Sequence, residues 1–388
     1  MFRKTKDVQS SNNNKKIKVF QTNARSLRNK FQELVGLTQV YDYEILCVTE
    51  SWVSEKFNKD FLSEYEIPGY VGYFYQREER QGGGCILYVK DTFVVKNVHG
   101  VKLESNVESV WLDLETYNNV WLRIGVFYRS PGAPSGEDTN YVKSLNKKYV
   151  DEINRAVNSV SENHVVLVMG DFNYSDIDWE LMHATNDISS AFLECVQDNF
   201  LEQVVHENTR GNNCLDLVLT NCSSIIGNMV ILPPLGNSDH NSLSFDLDIN
   251  VQCSANDKKN FNYKKGDYEK YRTLLSEIDW DSKFAEKNCN EMWETLKSTI
   301  EDLQTQCIPK VTARSGNFKH KPGWWDSDIG NLIKEKRKAY DKLKQNGYQE
   351  TDLDNFRNIR DRVKSEIRKK GVQDDIKLGK EKKSEKII

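Results

Sequence analysis

Two kinds of apolar run recur between Ile17 and about Asn250, and together they restrict what this chain can fold into. EILCV (44–48) and VVLVM (165–169) are short and almost wholly apolar, as strands covered on both faces require. VWLDLE (110–115) and SLSFDLDI (242–249) place an apolar residue at every second position, so one face of each is buried. Strands are expected at 17–21, 44–49, 84–89, 109–115, 120–128, 164–169, 214–219 and 242–248. Helical periodicity separates several of them, at 27–41, 140–160 and 188–199. The pattern describes an α/β domain with a large, mixed sheet system.

The rest of the 388 residues differs in character. Residues 1–16 contain the polar run SSNNNKK and read as a disordered leader, residues 17–250 as the α/β domain, and 251–265 as a linker. Residues 266–388 form a helical, basic extension, with helices expected at 266–276, 290–305, 327–344 and 352–370. The formal net charge of −4 hides an asymmetry. Residues 310–388 carry 22 Lys and Arg against 13 Asp and Glu, leaving 32 against 45 in the chain before them. A basic segment attracts polyanions, although mixed-sign stretches such as KEKRKAYDKLK also describe a solvated helix face. Trp324 and Trp325 are expected to anchor that region as core rather than to stack on bases.

Several classes are excluded or disfavoured. No stretch approaches the ~18 apolar residues of a membrane span, and no apolar signal core follows the N-terminus, so no membrane partner is expected. None of the eight cysteines sits in a C-x-x-C pair, which disfavours a zinc ribbon and fits buried, reduced thiols. Gly82-Gly83-Gly84 precedes a strand rather than a helix, so it reads as a tight turn and not a phosphate-cradling loop.

Polar islands stand at the ends of the expected strands, where a rigid sheet can aim side chains from distant parts of the chain at one point. They are Thr22-Asn23-Ala24-Arg25-Ser26, Thr49-Glu50-Ser51-Trp52, Gly170-Asp171-Phe172-Asn173, Leu215-Asp216-Leu217-Val218 and Ser238-Asp239-His240. Glu50 ends an apolar strand, so its carboxylate must be solvated, paired or bound to a cation. Asp171 and Asn173 offer an acceptor and a donor two residues apart, suited to holding one water; an Asx-type turn is the plainer alternative. Asp216 lies inside an apolar run and needs a partner, for which a histidine is the natural choice. A Ser-His-Asp protease arrangement is disfavoured, because no G-x-S-x-G elbow exists and three consecutive residues cannot form that triad among themselves.

The order of these islands is more specific than any one of them. N-A-R-S-L at 23–27, T-E-S-W at 49–52, Y-R-S-P at 128–131, G-D-F-N at 170–173, L-D-L-V-L-T-N at 215–221 and S-D-H at 238–240 resemble the endonuclease/exonuclease/phosphatase superfamily. The wording is most similar to the apurinic-endonuclease-like domain that opens the polyproteins of non-LTR retrotransposons. K-P-G-W-W-D at 321–326, followed by a basic helix, looks like the segment between that domain and a reverse transcriptase.

The resemblance implies a sandwich of two mixed β-sheets with flanking helices. It also implies a Mg²⁺-dependent hydrolase, with Mn²⁺ as a substitute. Glu50, Asn23 and Asp239 would hold the metal. Asp171 would orient or deprotonate water, Asn173 would contact the phosphate, and His240 would stabilise the pentavalent phosphorus with Asp216 orienting it. Tyr128 and Thr209 match positions near the scissile phosphate. Ser238 would support the histidine loop, and Arg25 and Arg129 join Thr209 and Ser238 as substrate contacts. The implied activity is a DNA endonuclease that nicks one strand and leaves a 3′-hydroxyl. The alternatives are a phosphatase or phospholipase of the same superfamily and a catalytically silent nucleic-acid-binding fragment. DNA is the expected partner. No Y-x-D-D-like motif occurs, so a reverse transcriptase module absent from this chain is a further expected partner. A nuclear or cytoplasmic location follows as an expectation.

Overall fold

The computed structural model describes residues 16–53, 64–77, 82–97, 107–115, 121–131, 139–160, 164–249, 266–285, 287–308 and 321–385. The expected linker and all but Lys16 of the expected leader lie outside these residues. Two compact units are present, one comprising residues 1–252 with 319–388 and the other residues 253–318.

The first unit is built on two mixed six-stranded sheets. The first sheet contains β1 (Ile17–Asn23), β2 (Ile45–Thr49), β3 (Tyr70–Tyr75), β4 (Cys85–Lys90), β13 (Ile226–Leu232) and β14 (Ser242–Leu247), in the order β13-β14-β1-β2-β4-β3. The second contains β5 (Val95–Asn97), β6 (Glu108–Glu115), β7 (Trp121–Tyr128), β8 (His164–Asp171), β11 (Glu202–Gln203) and β12 (Asp216–Thr220), in the order β11-β12-β8-β7-β6-β5. A short hairpin, β9 (Ile177–Asp178) with β10 (His183–Ala184), stands apart. Each sheet is antiparallel except for one central parallel pair, β1 with β2 and β7 with β8. A parallel pair needs a crossover, and helices α1 (Phe31–Tyr41) and α2 (Thr139–Asn158) supply the two.

Three apolar layers follow from this order. Val19, Ile45, Leu87, Ile124, Leu167, Val218 and Phe245 fill the space between the sheets. Phe127, Val168 and Leu217 on the far face of the second sheet pack under α2 and α3 (Asp187–Asp198) through Tyr149, Ile153 and Phe192. Phe20, Leu46 and Ile86 on the far face of the first sheet pack under α1 through Leu34. The unbroken runs are therefore the strands covered on both sides, as their composition requires.

The third layer has a second contributor. Helices α7 (Ser327–Gln345) and α8 (Glu350–Glu385) pair with each other and lie on α1. Trp324, Ile329, Ile333, Val363 and Ile367 share one apolar cluster with Phe31, Leu34 and Val35 of α1 and with Leu232 and Leu235. Trp324 is buried in this seam with Trp325 packed beside it, the core role expected of the pair. A Cβ at Gly36 would lie 2.7 Å from Ile333 Cδ1, so a side chain there would make Ile333 shift in the seam between α7 and α1. Lys336 Nζ donates to Glu33 Oε1 at 2.6 Å and to the Pro234 carbonyl at 2.7 Å, with both charged side chains buried. The smaller unit contains α4 (Tyr268–Ser276), α5 (Trp280–Phe284) and α6 (Cys289–Cys307), the last with a capping box of Asn288 and Glu291.

Among the described residues no helix is long and apolar enough to cross a membrane. The seven cysteines among the described residues are free, with Cys47, Cys85, Cys195 and Cys307 buried.

Candidate active site

Strand register brings the polar islands to one end of the sandwich. In the first sheet Asn23 pairs with Thr49, so β1 and β2 end side by side and Glu50 follows at once. In the second, Tyr128 and Asp216 both pair with Asp171, one row across β7, β8 and β12. Asn23 joins the two sheets: its Nδ2 donates to Glu50 Oε1 at 3.0 Å and to Asp171 Oδ2 at 2.8 Å. A side-chain-to-backbone bond repeats the link, Gln21 Nε2 donating to the Gly170 carbonyl at 3.2 Å.

The backbone at this end is strained. Arg25, Ser26, Glu50, Trp52 and Asn173 all have φ between +40° and +76°, the left-handed region that non-glycine residues rarely adopt. Such strain persists only where surrounding structure over-determines it, and it concentrates at functional sites. Gly170 shows how tight the packing is, since a Cβ there would fall 1.9 Å from the Phe127 carbonyl oxygen. The glycine turn at 82–84 accepts Ser51 N–H and Trp52 N–H on its Gly84 and Gly83 carbonyls, and so fixes the Glu50 loop. Glu108, itself ion-paired with Arg77, accepts the Gly84 N–H at 2.6 Å from the other side.

Asp216 and His240 form a buried pair, His240 Nδ1 lying 2.7 Å from Asp216 Oδ2. His240 Nε2 faces Asp171 Oδ2 at 3.9 Å. Burial works to neutralise the imidazole, but the Asp216 carboxylate prevails and raises it from 6.5 to about 9. Burial, reinforced by the Asp216 charge, pushes the Asp171 carboxyl up to about 8. Tyr128 is hydrogen-bonded to Glu50, and burial drives its hydroxyl pKa well upward. Thr209 Oγ1 accepts the Leu215 and Asp216 N–H groups, while Ser238 Oγ donates to the Asn23 carbonyl and accepts His240 N–H. Both are therefore braces beneath the Asp–His pair.

Asn23, Glu50, Asp171, Asp216, His240 and Tyr128 thus converge. Asn173 Nδ2 donates to the Arg129 carbonyl, and Arg129 Nη1 returns bonds to the Phe172 and Asn173 carbonyls while its guanidinium lies over the Tyr174 ring. Asp239 is turned elsewhere: its Oδ2 takes Arg25 Nη1 at 3.1 Å and Arg210 Nη2 at 2.7 Å. Partial burial works upward on Asp239, but the two guanidiniums hold its carboxyl below the usual value. Arg210 and Trp52 are participants that residue type alone did not single out. Trp52 Nε1 donates to Glu50 Oε2 at 3.1 Å with its ring substantially exposed.

The donor chemistry fits a hard divalent cation. Glu50 and Asp171 present carboxylate oxygens to the same Asn23 amide, and Glu50 is open to solvent on one side. Asp216 Oδ1, Thr49 Oγ1 and Ser51 Oγ are buried with no hydrogen-bond partner among the described residues. Asp171, Asp216 and His240 also offer three ligand atoms within 4.8 Å of one another. In that grouping His240 Nδ1 is already engaged by Asp216, the geometry of an oriented imidazole.

The sequence pattern of the Endonuclease/Exonuclease/phosphatase family matches residues 12–240. The chain belongs to this family. Its members are metal-dependent phosphoester hydrolases, and the buried Asp–His cluster is the equipment for that chemistry. No curated protein sequence matches the chain. Among solved structures, similarity extends to the endonuclease domain of TRAS1, a telomere-specific non-LTR retrotransposon (14% identity, 60% of this chain and 98% of that one, TM-score 0.47). It also extends to an AP endonuclease from Leishmania major (14%, 64% and 92%, 0.47) and the catalytic domain of Xenopus laevis APE2 (14%, 62% and 94%, 0.47).

Proposed function

We propose that this family member is a Mg²⁺-dependent DNA endonuclease of the non-LTR retrotransposon kind, nicking one strand to leave a 3′-hydroxyl, with Mn²⁺ able to replace Mg²⁺. The observation that carries the reading is the meeting of Asn23, Glu50, Asp171 and the Asp216–His240 pair at one end of the sandwich. The retroelement-like wording of the same islands supplies the substrate class. Three carboxylates against one imidazolium would repel a phosphate, so the cation is part of the reading and not an addition to it.

Glu50 is the residue that would hold the cation, which when bound offsets negative charge building on the phosphate oxygens, and Asn23, whose Nδ2 donates to Glu50, steadies that carboxylate. The remaining roles belong to the chain itself. Asp171, raised toward neutrality by burial, accepts a proton from the attacking water. Asp216 accepts Nδ1–H of the His240 imidazolium, so Nε2–H is left to stabilise a phosphate oxygen in a site closed to bulk water. Tyr128 keeps its proton and steadies Glu50. Asn173, with Arg129 behind it, lines the phosphate side. DNA is the substrate, and a reverse transcriptase would use the new 3′-end.

Supercoiled plasmid incubated with the full chain should convert to open circles in Mg²⁺ and remain intact in EDTA. A polymerase should extend the nick, which establishes a 3′-hydroxyl. Untouched plasmid with a folded wild-type protein would end this reading. Hydrolysis confined to small or lipid phosphoesters would transfer it to the phosphatase branch of the family.

A further inference from the structure

Arg25 and Arg210 come from opposite sheets and meet on one carboxylate. Arg25 stands in the turn after β1, two residues beyond Asn23, and its N–H donates to Asn23 Oδ1 at 3.0 Å. Arg210 stands in the loop before β12, next to Thr209, whose hydroxyl supports Asp216. Asp239 Oδ2 holds both guanidiniums, and Asp239 immediately precedes His240. The group carries a net charge of +1. Both arginine side chains are nearly half exposed, at 49% and 40%, so each keeps N–H donors turned to solvent. The left-handed φ of +40° at Arg25 is a cost the chain accepts to place that side chain here. A purely structural counter-ion for Asp239 would need one arginine, not two aimed from different loops.

We propose that Arg25 and Arg210, fixed on Asp239, form a second anion site that grips a backbone phosphate flanking the one being cleaved. This rests on the DNA reading above and deepens it: the site would require a substrate with at least two consecutive phosphates. Guanidiniums suit the task because their planar donor forks match phosphate oxygens, and the carboxylate between them sets their spacing in advance. Asp239 then acts as a positioning residue for the arginines.

Binding without cleavage tests this independently of activity. Anisotropy of a labelled duplex is measured against salt in Ca²⁺ with wild type, Arg210→Gln, Arg210→Lys and the double variant Arg25→Gln/Arg210→Gln. Arg210→Gln should weaken binding about tenfold, the double variant should weaken it further and reduce the salt slope by about 1, the one phosphate released, and Arg210→Lys should keep the slope. A second measurement compares wild type and Arg210→Gln on duplexes in which single phosphates are replaced by neutral methylphosphonates. One position beside the nick site should lose affinity in wild type and lose nothing further in Arg210→Gln. Unchanged affinity and slope in the double variant, or additive losses at every methylphosphonate position, would overturn the proposal. A wild type that binds with the expected slope but never nicks would refute the nuclease reading while leaving the clamp standing.

Discussion

Buried charge is handled differently at two places in the molecule. Where α7 meets α1, Lys336 faces Glu33 one to one, and the Pro234 carbonyl takes up a further donor. Apolar residues surround the pair and the local backbone is ordinary helix. At the catalytic end, Glu50, Asp171 and Asp216 face a single imidazole, Asp216 Oδ1 has no partner among the described residues, and five non-glycine residues there hold left-handed backbone. The first arrangement is complete and serves adhesion. The second is unbalanced, and its imbalance is what a cation and a phosphate would relieve.

The sharpest contrast should come from removing charge. Asp171→Asn and His240→Ala each remove a group acting on the reacting atoms, and nicking rates should fall on the order of 10³-fold while duplex binding in Ca²⁺ changes little. Asp171→Asn should leave the fold at least as stable, because it relieves a crowded carboxylate cluster, whereas His240→Ala strands the buried Asp216 and should cost about 3 kcal/mol. Where α7 meets α1 the effect is on stability alone. Lys336→Ala strands a buried Glu33 and should cost about 3 kcal/mol in urea unfolding, whereas Lys336→Met with Glu33→Leu should be near neutral. A Lys336→Ala protein as stable as wild type would erase the distinction.

Much of this architecture is readable from composition because burial dictates it. Both unbroken runs became strands covered on two faces, and each expected strand lies within two residues of an observed one. Two longer strands escaped. β3 (YVGYFY) is a half-exposed edge strand with no clean alternation, and β13 is interrupted by a register shift between Gly227 and Val230. The site residues were legible as types at strand ends, yet their partners were not. Asn23 and Asp171 are 148 positions apart, and Lys336 and Glu33 303. Asp239 shows the consequence. A carboxylate beside the histidine invites a metal role, and only the fold reveals two arginines already on it.

Smaller effects sharpen the comparison further. His240 has a higher pKa folded than unfolded, so its protonation contributes stability that is whole below about 6.5 and is lost as pH rises through about 9. Asp171, raised from 3.8 to about 8, works in the same direction at lower pH. Denaturant titration of metal-free protein should therefore show stability falling from pH 6.5 to above 9, and an Asp171→Asn/His240→Gln variant should flatten that slope. Smallest of all, Trp52→Phe removes one hydrogen bond to Glu50 and should slow nicking several-fold, about 1 kcal/mol, with half-saturating Mg²⁺ shifted upward.

Anomalous diffraction from crystals of the full chain grown with Mn²⁺ asks most directly whether this end of the sandwich is a cation-assisted hydrolytic centre. The account places a peak against the Glu50 carboxylate, with the His240–Asp216 hydrogen bond intact. A peak bound instead by His240 Nδ1 with that bond broken, or an empty site at saturating Mn²⁺, would contradict it.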